Sequence, residues 1–275
     1  MIKFQHTIFA LPFAAVGAFY AAKGVPTAAQ IAWITVAMVT ARTAAMVFNR
    51  IADAPYDAAN PRTAGRAIPR GLISTRFAWG VLVLSVALFM LSAKMLNRTV
   101  FLLTPVALIV TLGYSYTKRF TALCHFVLGL GLAMAPVGAW LAVRPSFDPF
   151  PWLIAMAVLS WVAGFDILYS CQDVDFDRRA GLRSIPAALG VKRALRVARG
   201  CHVVTLAALA AVIPVCGLAG WYVVGLGLIA MLLSYEHSMV SHRDLARVNQ
   251  AFFRVNAFVS ATLAGAALLE LLRRG

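Results

Sequence analysis

The sequence predicts an all-α integral membrane protein, a bundle of nine transmembrane helices, and three observations carry that prediction. Hydrophobic residues make up 61% of the chain and its mean hydropathy is +0.81, well above the roughly 45–50% apolar content of soluble domains. The apolar residues run in nine blocks of about 17–24 residues rather than in stripes, the length that crosses a hydrocarbon core of about 30 Å. The blocks also lack the alternation of barrel strands. Helices, which satisfy their own backbone groups, are therefore the spanning element.

The first block, Thr7–Ala22, has the look of a signal-peptide core, but its flanks lack a clear small-residue cleavage site and it reads as a structural helix. The second, Ala28–Phe48, carries Arg42 inside the span and runs into Asn49-Arg-Ile-Ala-Asp53-Ala-Pro-Tyr-Asp57, where Pro55 should open or kink the helix. A basic loop, Arg62-Thr-Ala-Gly-Arg66-Ala-Ile-Pro69, precedes Phe77–Met95 and Thr99–Tyr116, and Lys118 and Arg119 end the latter. Thr121–Val143 follows. Trp152–Cys171 carries Asp166 and leads into Asp173-Val-Asp175-Phe-Asp177, then into a second basic loop, Arg178-Arg-Ala-Gly-Leu-Arg183-Ser-Ile-Pro186. Ala194–Pro214, Gly217–Tyr235 and Ala251–Leu272 complete the bundle. No soluble domain is attached, so residues 1–275 read as one transmembrane domain. The repeated order of span, acidic cluster and Arg-rich loop with an Ile-Pro step suggests two diverged halves, roughly 1–120 and 121–275, facing a shared cavity.

Charge orients the bundle. With the N-terminus inside, the inner side takes 18 of the 25 Lys and Arg residues, including Lys3 and three in 243–254, and the outer side takes 6, with Arg42 inside a span. That asymmetry is what the positive-inside rule expects, and it places the active side of the protein at the cytoplasmic face of an inner or plasma membrane. It also accounts for most of the net charge of +15 without nucleic acid as a partner, since attraction to anionic lipid is enough. The four cysteines show no Cys-x-x-Cys spacing and predict no disulfide framework, and the five histidines show no zinc-ligand pattern.

Five of the ten carboxylates, Asp53, Asp57, Asp173, Asp175 and Asp177, sit in the two acidic clusters, and acids beside a bilayer mark function because desolvating them is costly. On a helix, Arg42, Asn49, Asp53 and Asp57 fall within about 80° of one another, and Asp166, Asp173 and Asp177 within about 40°. Asp175 points roughly the other way. Oxygen ligands at such spacing suit Mg²⁺, which is usually held by one or two carboxylates together with substrate phosphates. Two clusters suit a metal-bridged diphosphate, and the arginines match phosphate oxygens with their planar forks.

The pattern Asn-x-x-x-Asp-x-x-x-Asp after one span, Asp-x-x-x-Asp after another, an Arg seven residues before the Asn, and Tyr-Ser-Tyr-Thr-Lys-Arg at 114–119 resembles the UbiA superfamily of intramembrane prenyltransferases. Lys3-Phe-Gln-His-Thr-Ile-Phe-Ala-Leu-Pro-Phe-Ala, Gly65-Arg-Ala-Ile-Pro-Arg-Gly71 and Gly164-Phe-Asp-Ile-Leu-Tyr-Ser-Cys-Gln-Asp-Val-Asp-Phe-Asp-Arg are similar to its quinone-pathway branch, the 4-hydroxybenzoate polyprenyltransferases. The resemblance covers the whole chain. It implies a UbiA-type fold and Mg²⁺-dependent transfer of a polyprenyl group from its diphosphate to an aromatic acid acceptor, with membrane lipid around the reaction. By the same resemblance Asp53, Asp57, Asp173 and Asp177, with Asn49, hold the metal, and Asn49, Arg62, Arg66, Lys118, Arg119 and Arg183 bind the diphosphate. Tyr114 and Tyr169 would stabilise positive charge, Asp166 would orient the acceptor or take its ring proton, and Arg42 would bind an acceptor carboxylate. One departure is Asn49-Arg50, where many members read Asn-Asp. The motifs are shared with enzymes acting on dihydroxynaphthoates of menaquinone synthesis, on haem and on chlorophyll precursors, so the acceptor stays open at this level.

Two other classes fit the residues less well. A CDP-alcohol phosphotransferase also uses Asp-x-x-x-Asp, but expects Asp-Gly and Ala-Arg steps, and Asp57 is followed by Ala58-Ala59. A cation transporter would place its carboxylates near mid-span, and only Asp166 comes close.

Overall fold

A computed structural model describes residues 7–241, 245, 248 and 254–274, with the backbone alone for residues 7–10. Lys3, Arg243 and Arg247, counted above on the inner side, and the start of the Lys3–Ala14 motif lie outside the described residues. The elements are α1 Thr7–Ala22, α2 Ala28–Ala52, α3 Ala54–Ala59, α4 Thr75–Leu96, α5 Arg98–Thr117, α6 Cys124–Val143, α7 Pro149–Ser170, α8 Val174–Arg179, α9 Ile185–Leu189, α10 Val191–Cys216, α11 Gly220–Met239 and α12 Asn256–Arg274. Among the described residues eight helical segments are long and apolar enough to cross a membrane, and the apolar α1 is the ninth and shortest. The described residues form no strand.

Local chemistry sets several boundaries. Thr27 and Gln30 form a reciprocal capping box at the start of α2. Asn97 caps α5 through Oδ1 to the Val100 amide, while its Nδ2 donates to the Leu141 and Ala142 carbonyls at the end of α6. One side chain thereby satisfies orphan groups at the ends of two helices, which matters most where water is scarce. Prolines 12, 105, 136 and 214 lie inside α1, α5, α6 and α10, a placement membrane helices tolerate.

Small residues decide which helices touch. A β-carbon at Gly17 would meet the Pro136 carbonyl oxygen at 2.3 Å, and one at Gly129 would meet the Leu159 carbonyl oxygen at 2.4 Å. These glycines let α1 approach α6, and α6 approach α7, backbone to backbone. Helix α7 is the centre of the bundle, packed between α6 and α10, and its Ile154, Val158, Trp161 and Phe165 join the main apolar cluster. The Trp161 indole N–H donates to Asn256 Oδ1 at 2.8 Å, tying α7 to α12. The periphery is inverted relative to a soluble protein, with Leu84 on α4, Ile109 on α5 and Met231 on α11 exposed. Such faces are a liability in water and the expected boundary in lipid.

Candidate active site

The two acidic clusters adopt one architecture. Helix α2 stops at Ala52, Asp53 takes φ −92°, ψ 1°, and the six-residue α3 restarts with Pro55 in its first turn. Helix α7 stops at Ser170, a single 3₁₀ turn covers Cys171–Asp173, Asp173 takes φ −102°, ψ 5°, and the six-residue α8 restarts at Val174. In both, the first aspartate sits at the break and the second, Asp57 or Asp177, lies buried in the short helix at 5% and 0% exposure. The kink expected at Pro55 is thus a full break, repeated in the second cluster without a proline. Across the first break the 53 amide still bonds to the Asn49 carbonyl and the 57 amide to the Asp53 carbonyl, which preserves the four-residue spacing on one face. Asp175 is exposed, whereas Asp173 and Asp177 are buried.

Basic side chains from the neighbouring loops close on these acids. Arg62 reaches Asp173 with two donors, Nε to Oδ1 at 2.8 Å and Nη2 to Oδ2 at 2.5 Å, and Asn60 Nδ2 adds a third at 3.2 Å. Arg66 pairs with Asp57 at 2.5 Å and Lys118 with Asp177 at 2.8 Å. Arg119 stacks on the rings of Tyr56 and Tyr116, donates to the Ala52 carbonyl and stands 3.9 Å from Asp53. Asn49 donates to Asp53 at 2.8 Å. Burial, then the neighbouring Asp57, holds the Asp53 carboxyl above its usual range, against the pull of Asn49 and Arg119. Arg50 sits 4.0 Å from Asp57, a cation placed against an acid of the first cluster.

A cavity of about 760 Å³ ends at this cluster. It runs between α2, α4, α5, α6 and α7, and from Ile34 to Arg50 its α2 wall is about 24 Å long at 1.5 Å per residue. Its charged lining residues are Arg42, Arg50 and Asp166, with Asn49, Tyr114 and Tyr169 beside them. Tyr169 accepts a hydrogen bond from Arg62 at 3.0 Å and Asn49 holds Asp53, so the polar end of the cavity is continuous with the aspartates. The Nε of Arg42 is buried without a hydrogen-bond partner, and Asp166 Oδ2 lies 2.6 Å from His125 Nδ1.

Of the residues expected from sequence, Arg42, Asn49, Tyr114, Asp166 and Tyr169 line the cavity, and Asp53, Asp57, Asp173 and Asp177 with Arg62, Arg66, Lys118 and Arg119 form the charged cluster at its end. Arg183 stands apart: its guanidinium donates to the Phe120 carbonyl and its amide to the Lys118 carbonyl, binding one loop to another. Three residues beyond those expected from sequence join the site: Asn60, Ser184, which donates to Asp177 at 2.9 Å, and His125. Asn60 carried a local signal, an Asn-Pro step closing α3. His125 carried none, because its partner lies 41 positions away.

The donor set fits Mg²⁺ in one particular way. Among the described residues no three of His, Cys, Asp and Glu stand close enough to share an ion, so each cluster offers two carboxylates and leaves the other positions to phosphate and water, as Mg²⁺ prefers. Asp57 Oδ2 is buried without a hydrogen-bond partner, with the Arg50 guanidinium 4.0 Å away, and has lone pairs to offer such an ion.

The sequence matches the UbiA prenyltransferase family over residues 10–260. It is 32% identical over 260 residues to a 4-hydroxybenzoate octaprenyltransferase of Nitrosospira multiformis, covering 94% of this chain and 88% of that protein. The fold superposes on the apo structure of a UbiA homolog from Aeropyrum pernix K1 with a TM-score of 0.89 and 35% identity, covering 98% of this chain and 99% of that one. It also superposes, at 19% identity and a TM-score of 0.76, on a UbiA homolog from Archaeoglobus fulgidus bound to DMAPP and Mg²⁺, over 98% of this chain and 96% of that one.

Proposed function

The chain belongs to the UbiA prenyltransferase family, and from that membership together with the geometry of the site we propose that it transfers a polyprenyl group from its diphosphate to 4-hydroxybenzoate in respiratory quinone synthesis. The observation that carries this reading is a long apolar cavity, with a buried arginine along it, ending in a cluster of four aspartates and four basic side chains. An apolar chain fits the first part and a diphosphate the second.

Asp53, Asp57, Asp173 and Asp177, with Asn49, would hold Mg²⁺, which supplies positive charge against the negative charge that develops on the departing diphosphate. Arg62, Arg66, Lys118 and Arg119 add charge-assisted donors at the same place. They pair with the aspartates, and a diphosphate would give them a second set of oxygens to bind. Tyr114 and Tyr169 line the cavity beside Asn49 and Arg50, and their ring faces would stabilise the positive charge that develops on the allylic carbon. Apolar walls from α2, α5, α6 and α7 keep water from capturing that carbon. Arg42, whose Nε is buried without a hydrogen-bond partner, and Asp166 both line the cavity; in this reading Arg42 takes the acceptor carboxylate and Asp166 the proton of the substituted ring carbon.

Membership of the family supports reading residues 1–275 as one transmembrane domain in two diverged halves, and the repeated break at Asp53 and Asp173 supports the halves. The distribution of Lys and Arg supports a cytoplasmic aspartate face. The test is an acceptor panel: purified protein with Mg²⁺ and one labelled polyprenyl diphosphate, offered 4-hydroxybenzoate, a dihydroxynaphthoate, and no acceptor. Prenylated 4-hydroxybenzoate is the expected product. Transfer to the naphthoate alone would replace the acceptor, and diphosphate release with no prenylated ring would remove the transferase reading.

A further inference from the structure

The acceptor side of the cavity contains a residue pair that the metal and diphosphate chemistry does not use. His125, in the first turn of α6, is 1% exposed, and its Nδ1 lies 2.6 Å from Asp166 Oδ2 on α7. Its other nitrogen, Nε2, lies 3.3 Å from the backbone nitrogen of Ile185. An amide can only donate, so Nε2 is the lone-pair nitrogen, the proton sits on Nδ1, and the imidazole donates to Asp166. The tautomer is fixed from behind, and the His125 ring sets the direction of the carboxylate that faces the cavity.

The clamp on His125 reaches the metal side within one residue. Ser184 donates to Asp177 Oδ2 at 2.9 Å and caps α9 through the Ala187 amide, and Ile185, the next residue, holds His125. The loop that positions a proposed metal-binding aspartate thus also positions, through His125, the aspartate on the acceptor side.

We propose that His125 is the positioning residue for Asp166, holding it in the orientation that removes the ring proton after the new carbon–carbon bond forms. The proposal rests on the prenyl-transfer reading above. In that reaction the allylic C–O pair leaves with the diphosphate and a ring electron pair forms the C–C bond. The hydrogen on the substituted ring carbon then passes as a proton to Asp166, and its C–H pair restores aromaticity. Diphosphate departure draws on the charged cluster and not on His125. Loss of His125 therefore slows only proton removal, and that step becomes rate-limiting.

The test compares wild type, His125→Phe and His125→Asn as full chains in lipid nanodiscs, with Mg²⁺, a polyprenyl diphosphate, and the acceptor in ring-protiated and ring-deuterated form. Phenylalanine keeps ring volume without either nitrogen, and asparagine keeps a donor near the position of Nδ1. Mg²⁺-dependent binding of the polyprenyl diphosphate, measured on each variant, reports folding and the metal side separately. The expected result is that His125→Phe binds the diphosphate as wild type does, loses about 10- to 100-fold in kcat, and acquires a primary deuterium isotope effect that wild type lacks. His125→Asn recovers most of the rate and loses the isotope effect. A His125→Phe variant with wild-type kcat, or one slowed with no isotope effect and no rescue by asparagine, would overturn the proposal. Failure of wild type to prenylate any aromatic acceptor overturns the transfer reading and the proposal with it.

Discussion

Arg62 pairs with both oxygens of Asp173, so Arg62→Ala should tighten Mg²⁺ binding while weakening the binding of the prenyl diphosphate. Two donors, at 2.8 and 2.5 Å, hold the carboxylate. A hydrogen bond to a charged group contributes about 1.5–3 kcal/mol, and because the Arg62 side chain is 33% exposed the pair belongs at the low end, about 1.5 kcal/mol or tenfold. An ion that binds Asp173 has to displace that contact. Its removal therefore lowers the Mg²⁺ dissociation constant about tenfold when no diphosphate is present. The same substitution removes a phosphate fork, so KM for the diphosphate rises. Arg62→Lys keeps the charge without the bidentate geometry and should fall between the two. Calorimetric titration of Mg²⁺ into purified protein gives the first number and steady-state kinetics the second. Unchanged or weaker Mg²⁺ binding in Arg62→Ala would refute the competition.

Asp53→Ala and Asp173→Ala should each abolish turnover at saturating Mg²⁺ while leaving folded protein, measured by activity beside size-exclusion profile. Asp177→Asn should be far more damaging than Asp175→Asn, since Asp177 is fully buried against Lys118 and Ser184 while Asp175 is exposed; the reverse order of kcat would mean the wrong acid had been assigned. Gly129→Ala puts a β-carbon 2.4 Å from the Leu159 carbonyl oxygen and should cost about 1–3 kcal/mol of stability, read as a lower melting temperature. Because burial and Asp57 raise the Asp53 carboxyl above its ordinary range, protons compete with Mg²⁺ there at higher pH than at a free aspartate. The Mg²⁺ concentration for half-maximal rate should accordingly rise as pH falls through the raised value, and a constant half-saturation would count against Asp53 as a ligand. For sidedness, a cysteine replacing exposed Arg70 or Arg179, in protein whose partly exposed Cys216 has been replaced, should react with an impermeant thiol reagent only in inverted vesicles. Labelling from the outer face of intact cells would reverse the topology.

Features that depend on local composition and periodicity are legible along the chain. Span length and hydropathy gave an all-helical membrane bundle, because a bilayer leaves the backbone no other choice. The four-residue spacing of Asp53 with Asp57 and of Asp173 with Asp177 placed each pair on one face, and it set Asp175 apart, since those relations hold within a turn or two of helix. Packing supplied the remaining features. It turned two helix ends into matched breaks, sent Arg62 from the first half to Asp173 in the second, and gave Lys118 to Asp177. It directed Arg183 to backbone carbonyls rather than to the aspartates. The His125–Asp166 contact was out of reach of the sequence altogether. It exists because Gly129 lets α6 lie against α7 and because Ile185, sixty positions away, presents its amide to the other side of the imidazole. Partners that close a site across 41, 60 or 111 positions are fixed by how helices pack, and helix packing leaves no periodic trace in the chain.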